Sequence, residues 1–265
     1  MVGLGLILAF SLHSAFSGGL YSQAREAPPE QNMERCKTAS EASDRVAACT
    51  TVINNTRDKS LVGRAYNRRG HTYVELKNYF AAARDFAEVA RLNPTVGGYQ
   101  DNRANALRLA GRYDEALEAA STAIRLAPGY AFVVRGRALI YEEMGRLDQA
   151  LADIDRGITI DPRDAGLRVD RGRIDAKLVR DEDAIRDLTI AIEMDSSRTD
   201  ALRERGLAYI RAGRTEAAMA DLKAFVASHP EDTQIPPVIA VQAQAAMNGG
   251  RSPLIINPGG IRSLP

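Results

Sequence analysis

A proline returns every 34 residues through most of the chain, and this period constrains the fold more than any other feature. An alanine stands twelve residues before each proline place, and a small residue stands twelve residues before each alanine. The proline column contains Pro94, Pro128, Pro162 and Pro230 with Ser196 in the missing place, the alanine column Ala82, Ala116, Ala150, Ala184 and Ala218, and the small-residue column Gly70, Ala104, Ala138, Gly172 and Gly206. A fixed period of this length indicates a repeat architecture.

Each repeat has the pattern of a helical hairpin. Two stretches of about fourteen residues with helical apolar periodicity flank a short turn, such as the one at Gly111, and the proline ends the second helix. Small residues at the eighth and twentieth places let the two helix backbones approach closely. One hairpin cannot bury both of its faces, so neighbouring hairpins must stack. The predicted fold is all-α: an α-solenoid of antiparallel helix hairpins wound into a right-handed superhelix.

These columns resemble the tetratricopeptide repeat (TPR) family, whose signature has a small residue at place eight, alanine at place twenty and proline at place thirty-two. The resemblance covers five units, at residues 63–96, 97–130, 131–164, 165–198 and 199–232. It implies a concave groove, lined by the first helix of each hairpin, that holds a peptide or a partner protein. The family has no shared catalytic residues, so the resemblance implies a class of function and no more.

Three segments flank the five units. Residues 25–62 are predicted to form a degenerate N-terminal hairpin that precedes the regular register. Residues 233–247 are predicted to form a capping segment, with Phe225 packed against it, because a solenoid must cover its last apolar face. Residues 248–265 are rich in Gly, Pro and Ser, which predicts a flexible tail.

The first 24 residues have the composition of an export signal. They are mostly apolar, no acidic or basic residue precedes Arg25, and a small-x-small triplet ends at Ala24. This predicts cleavage after Ala24 and a periplasmic or secreted protein. No cysteine lies near that point, so a lipoprotein is not expected. Because the segment has no Lys or Arg at its start, a retained anchor and a wrongly assigned start remain alternatives.

The chain has two cysteines, Cys36 and Cys49. The repeat register places them at facing positions on the two helices of the N-terminal hairpin. Exported proteins occupy compartments where disulfides persist. We therefore predict a Cys36–Cys49 disulfide; the alternative is two small buried thiols.

An arginine column stands at the seventh place of every unit, and an aspartate follows sixteen residues later in four of the five. The arginines are Arg69, Arg103, Arg137, Arg171 and Arg205, and the aspartates are Asp85, Asp153, Asp187 and Asp221, with Ala119 in the remaining place. We interpret the columns as structural Arg–Asp pairs that tie helices together, because a guanidinium can bond a carboxylate bidentately. A charge-binding stripe is the alternative. Arg103 is expected to reach Asp85 in the preceding hairpin.

Asp175 stands at a place where the pattern favours a bulky apolar residue. The same unit has Val179 in place of the turn glycine and Ser196 in place of the proline. We interpret this unit as a relaxed, mismatched repeat; a functional carboxylate is the alternative.

The groove implied by the resemblance supplies the candidate binding residues. They lie at inward places of the first helices and comprise Asn105, Phe132, Arg135, Leu139, Arg173, Arg203 and Leu207, with Asn67, His71, Asp101, Arg108, Val169 and Ile210 in the same set. Three arginines of the first group, Arg135, Arg173 and Arg203, mixed with apolar side chains favour a peptide that carries apolar and acidic residues. An ordinary solvated face is the alternative.

Several classes of function are disfavoured. The net charge of +1 provides no field for nucleic acid. No phosphate loop, zinc-protease motif or Cys-x-x-Cys pair occurs, so no catalytic, metal or cofactor site is predicted. The groove also lacks the cations of the carboxylate clamp that binds chaperone tails.

The sequence therefore predicts a non-enzymatic protein–protein interaction scaffold of the cell envelope, without a membrane span in the mature chain. One alternative is an adaptor that presents substrates to an envelope protease or a peptidoglycan enzyme. Another is a cytoplasmic TPR scaffold whose start has been wrongly assigned.

Overall fold

The computed structural model describes residues 28–228, and this part of the chain contains twelve α-helices and no strand. In chain order they are α1 (Pro29–Thr38), α2 (Ala42–Asn55), α3 (Lys59–Glu75), α4 (Tyr79–Leu92), α5 (Gly97–Leu109), α6 (Tyr113–Leu126), α7 (Ala131–Glu143), α8 (Leu147–Ile160), α9 (Ala165–Lys177), α10 (Asp181–Met194), α11 (Thr199–Arg211) and α12 (Thr215–Ser228). The predicted export segment, capping segment and tail lie outside the described residues.

Consecutive helices pair into hairpins, and the hairpins stack in chain order, which confirms the predicted α-solenoid. Each of the five regular repeats contains one helix pair, from α3 and α4 in the first to α11 and α12 in the last. The pair α1 and α2 forms a further hairpin at the N-terminal end.

The small residues of the eighth place allow the two helices of a hairpin to touch. A Cβ atom at Gly172 would lie 2.7 Å from Leu188 Cγ, and one at Gly206 would lie 2.7 Å from Leu222 Cγ. At Gly70 it would lie 2.8 Å from the ring of Phe86. A larger side chain at these places would separate the helices and open the core.

The core continues from one hairpin to the next, because each second helix also packs against the first helix of the following repeat. Leu167 of α9 is fully buried and joins Ala138 and Ile154 of the preceding repeat in one cluster. A Cβ atom at Gly157 of α8 would lie 3.0 Å from Leu167, so the contact between these repeats is also close. Burial of this kind is the main stabilising force of a solenoid.

The turn inside each hairpin needs one residue in the left-handed region of backbone space. Glycine serves in three repeats, with φ of 72° at Gly111, 71° at Gly145 and 73° at Gly213. Lys77 and Val179 hold the same place in the first and fourth repeats, with φ of 56° and 60°. A β-branched residue is strained there, and Val179 is 73% exposed, so little packing offsets the strain.

The N-terminal hairpin is cross-linked. Cys36 of α1 and Cys49 of α2 form a disulfide with a Cα–Cα distance of 4.8 Å, in agreement with the sequence prediction. Both cysteines are fully buried in a cluster with Val52 and with Leu61 of α3. The hairpin therefore shares its core with the first regular repeat.

Candidate binding groove

The arginine column forms structural pairs, as the sequence analysis favours. Four arginines each donate two hydrogen bonds to a buried aspartate of the same repeat. The pairs are Arg69–Asp85 at 2.8 and 2.8 Å, Arg137–Asp153 at 2.7 and 2.7 Å, Arg171–Asp187 at 2.5 and 2.7 Å, and Arg205–Asp221 at 2.7 and 2.8 Å. Bidentate pairs of this geometry fix the two helices of a hairpin relative to each other.

The same guanidinium groups also reach the preceding hairpin. Arg171 bonds Asp155 of α8 at 2.7 Å, and Arg205 bonds Thr189 of α10 at 3.0 Å. The column therefore ties successive repeats together as well as the helices within a repeat.

Arg103 is the exception, and the predicted pairing with Asp85 is wrong. Asp85 is bonded by Arg69, and Arg103 makes no hydrogen bond or ion pair within the described residues. The reason lies in the residue types. The two places that supply acceptors in other repeats hold Ala119 and Ala87 here.

The predicted groove residues differ in how accessible they are. Asn105 and Phe132 are exposed, whereas Leu139, Arg203 and Leu207 are half-buried. Val169 is 2% exposed and belongs to the core, which corrects its assignment to the groove. His71 is exposed and places its ring edge-to-face with Phe86, with a centroid distance of 5.0 Å.

The groove arginines are already paired with carboxylates of the chain itself. Arg135 bonds Asp170, Arg173 donates two hydrogen bonds of 2.9 and 2.8 Å to Glu142, and Arg203 bonds Glu204 at 2.8 Å. The first two pairs join the inner helices α7 and α9 of the third and fourth repeats, and the third pair neutralises charge within α11.

The pKa of Glu142 reflects the cations that bond its carboxylate. Burial alone would raise the pKa of Glu142, but hydrogen bonds from Arg173 and Lys177 bring that pKa below its ordinary value. The Lys177 bond measures 2.8 Å. The positive charge of the three groove arginines is therefore compensated within the chain, which weakens their attraction for the predicted acidic peptide.

Asp101 differs from these paired groups. It lies on α5, and its carboxylate rests against Gly136 of α7, where a Cβ atom would come within 2.5 Å of Asp101 Oδ1. No hydrogen bond or ion pair to the Asp101 carboxylate occurs within the described residues. Burial raises its pKa to about 6.

An exposed aromatic pair lies one helical turn before Gly136, the residue against which this carboxylate rests. Tyr130 and Phe132 are 61% and 48% exposed, and their ring centroids are 5.7 Å apart. Phe132 precedes Gly136 by four residues on α7, so the two residues lie on one helical face. Asp101 and Phe132 are both predicted groove residues, but they lie in different repeats, and the repeat pattern does not connect them. The sequence feature that could have connected them is Gly136. It stands at the sixth place of its repeat, where the next repeat has Asp170.

Asp175 is 6% exposed, and its nearest cation is Arg180, with an N–O distance of 3.8 Å. Burial, together with Asp183 and Asp187, raises the pKa of Asp175. In residues 28–228, no cluster of three or more potential metal ligands occurs. Nor is any helix in this range long and apolar enough to cross a bilayer.

Stacked antiparallel hairpins with a concave face lined by their first helices define the class of α-solenoid repeat proteins. Sequence profiles of the tetratricopeptide repeat match residues 63–96, 98–130, 136–164 and 169–233. The chain belongs to the tetratricopeptide repeat family, whose fold serves as an interaction scaffold. The comparison with curated proteins gives no match.

Solved structures of TPR proteins share this fold. The Thermus thermophilus protein TTC0263 has a TM-score of 0.56 at 22% identity, covering 70% of this chain and 99% of that protein. MamA from Desulfovibrio magneticus RS-1 has a TM-score of 0.55 at 16% identity, with coverages of 66% and 98%. YrrB, described as a TPR protein with an unusual peptide-binding site, has a TM-score of 0.51 at 16% identity, with coverages of 77% and 99%.

Proposed function

We propose that this protein is a non-enzymatic scaffold of the cell envelope that binds a peptide segment of a partner protein along its concave groove. The observation that carries the proposal is the exposed aromatic pair Tyr130 and Phe132 one helical turn before Gly136. The Asp101 carboxylate lies against that glycine and has no partner among the described residues. Exposed aromatic side chains next to a specific polar group are typical of binding sites. The description of YrrB as a peptide-binding TPR protein supports the same use of this fold.

The envelope location is supported by two features of the chain. Its first 24 residues have the composition of an export signal, and Cys36 and Cys49 form a disulfide. Disulfides persist in oxidising compartments and are rare in the cytosol. If the export interpretation is right, the mature chain begins at Arg25. Fractionation of cells followed by N-terminal sequencing tests this, and a cytosolic chain that retains Met1 would contradict it.

The groove is tested by a matched pair of variants. Phe132 on α7 and Phe80 on α4 are 48% and 54% exposed, but only Phe132 lies on a first helix of a hairpin. Each variant, Phe132→Ala or Phe80→Ala, is used as bait in the envelope fraction, and captured proteins are quantified by mass spectrometry. We expect partners of the wild-type chain to be lost with Phe132→Ala and kept with Phe80→Ala. Equal capture by all three chains would place the interaction on another surface.

A further inference from the structure

The junctions between successive first helices of the solenoid can be compared place by place. The fifth residue of one repeat faces the sixth residue of the next. In the third and fourth repeats these residues are Arg135 and Asp170, which form an ion pair. In the second and third repeats they are Asp101 and Gly136. The glycine has no side chain, so the Asp101 carboxylate has no counter-charge across this junction.

Two nearby arginines, Arg108 and Arg135, are engaged elsewhere, and Arg103 follows Asp101 by two residues on α5, so the two side chains do not face each other. Arg108, two turns further along α5, bonds Glu143 and, at 2.8 Å, Asn105. Arg135, which precedes Gly136 on α7, points toward the next repeat, where its guanidinium carbon would lie 3.5 Å from a Cβ atom at Gly166. Asp101 therefore keeps an uncompensated charge on the concave face.

This end of the groove also has unused hydrogen-bond acceptors. Among the described residues, two buried side-chain oxygens lack a partner, Asn67 Oδ1 on α3 and Gln100 Oε1 on α5. Both belong to the first two repeats, whereas Glu142, Asp170 and the other inner carboxylates of the later repeats are bonded by arginine or lysine. Arg68 Nε of the first repeat is an unpaired donor at the same end, so the contrast between the two halves lies in their carboxylates: Asp101 is unpaired within residues 28–228, whereas Glu142 and Asp170 are bonded by cations.

A buried carboxylate without a partner destabilises the folded chain when it is ionised. Burial penalises the ionised form, and no hydrogen bond or cation of the described residues offsets the penalty. Ionisable groups that burial destabilises in this way are more common at binding sites than elsewhere. Because Phe132 lies one helical turn from Gly136, and so from the Asp101 carboxylate that rests against it, a ligand cation on a long apolar stem would satisfy both features.

We infer that the groove selects a lysine or arginine side chain of its peptide partner, with the cation bonded to Asp101 and the stem lying on Phe132. This inference rests on the proposed peptide-binding function. It reverses the acidic ligand expected from the three groove arginines, because those arginines are paired within the chain.

The test uses the full chain and a positional-scanning library of hexapeptides that are acetylated and amidated, so that only side chains carry charge. Binding is measured by fluorescence polarisation. We expect peptides with Lys or Arg beside an apolar residue to bind tightest to the wild-type chain. Asp101→Asn should weaken them by roughly ten-fold or more, the usual worth of a hydrogen bond between charged groups. Asp114→Asn, the same change at an exposed site on α6, should leave binding unchanged.

The outcomes separate this inference from the proposed function. Two results would overturn the inference and leave the groove intact as a binding site. In the first, peptides without a basic residue lose affinity with Phe132→Ala. In the second, peptides that respond to Phe132→Ala keep their affinity with Asp101→Asn. Peptides that bind without any response to Phe132→Ala, or a library that gives no binding, would overturn both. Circular dichroism of each variant shows that the fold is retained.

Discussion

The carboxylate of Asp101 lies directly against Gly136, so that a Cβ atom at position 136 would come within 2.5 Å of Asp101 Oδ1. The glycine is what allows the carboxylate to lie in the groove wall rather than in solvent. One repeat later, Arg135 and Asp170 occupy the equivalent places and neutralise each other. The same backbone geometry therefore holds a compensated charge at one junction and an uncompensated charge at the next.

Gly136→Ala should move the Asp101 side chain outward, because the new methyl group takes the space of Oδ1. Once it is solvated, the carboxyl group should titrate below the present pKa of about 6, nearer its ordinary value of 3.8. The substitution should also stabilise α7 by about 1 kcal/mol, since alanine favours helix over glycine. Carbon-13 NMR of the Asp101 carboxyl group measures the pKa. A pKa that stays near 6 would contradict this account of the junction.

Asp101→Asn should raise the free energy of unfolding at neutral pH. The pKa of Asp101 is raised on folding from 3.8 to about 6, so the folded chain binds a proton more readily than the unfolded chain and loses stability as the group ionises. The gain from removing the charge should be about 1–3 kcal/mol above pH 6, from roughly two pKa units discounted for partial exposure. It should vanish below about pH 4.

Denaturant unfolding of the wild-type chain and the variant at several pH values measures this difference. Asp114→Asn on α6 is the control, because that carboxylate is exposed. A difference between Asp101→Asn and the wild-type chain that does not depend on pH would show that the effect comes from packing and not from charge.

Val179→Gly should stabilise the fourth repeat. Val179 holds the left-handed turn position with φ of 60°, where glycine serves in three other repeats. Relief of this strain is worth about 1 kcal/mol after the entropy cost of glycine. The reverse change, Gly145→Val, should cost at least as much. Thermal unfolding of both variants measures the effect, and a lower melting temperature for Val179→Gly would disprove the strain.

Asp153→Ala should lower the free energy of unfolding by about 1–3 kcal/mol, because Arg137 loses two charge-assisted hydrogen bonds in a largely buried place. The converse change is available in the second repeat. Ala119→Asp places an acceptor where Arg103 has none, so it should be more stable than its uncharged counterpart Ala119→Asn. Equal stability of these two variants would mean that Arg103 cannot reach the column.

Removal of the disulfide should destabilise the N-terminal hairpin first. Cys36 and Cys49 are 13 residues apart, and a loop of this size contributes roughly 3 kcal/mol by constraining the unfolded chain. The double variant Cys36→Ala/Cys49→Ala should therefore exchange the amide hydrogens of α1 and α2 faster, with α7 to α10 unaffected. If the amide hydrogens of α1 and α2 exchange equally slowly in the double variant and in the wild-type chain, packing alone holds the hairpin.

The sequence alone determined the hairpins, their number in the regular array, the Arg–Asp column and the cysteine pair. The hairpins and the Arg–Asp column repeat with a fixed period, so they follow from local helix periodicity and from the packing that one unit requires of its neighbour. The two cysteines occur once, at facing places of the same register. Arg137 and Asp153 illustrate this, since their separation of sixteen residues recurs in four units and places them on facing helices of one hairpin.

The tertiary structure alone decided which groove charges are free. Asp101 and Arg135 hold the fifth place of their repeats and Arg173 holds the ninth; all three are inward places, and nothing in the sequence tells which of the three charges has a partner. Only the stacking of the repeats brings Asp170 to Arg135 and Glu142 to Arg173 while it places Gly136 against Asp101. These contacts join different repeats, and their geometry depends on how far each hairpin rotates against the last. Charge compensation is a property of that packing and not of any one repeat.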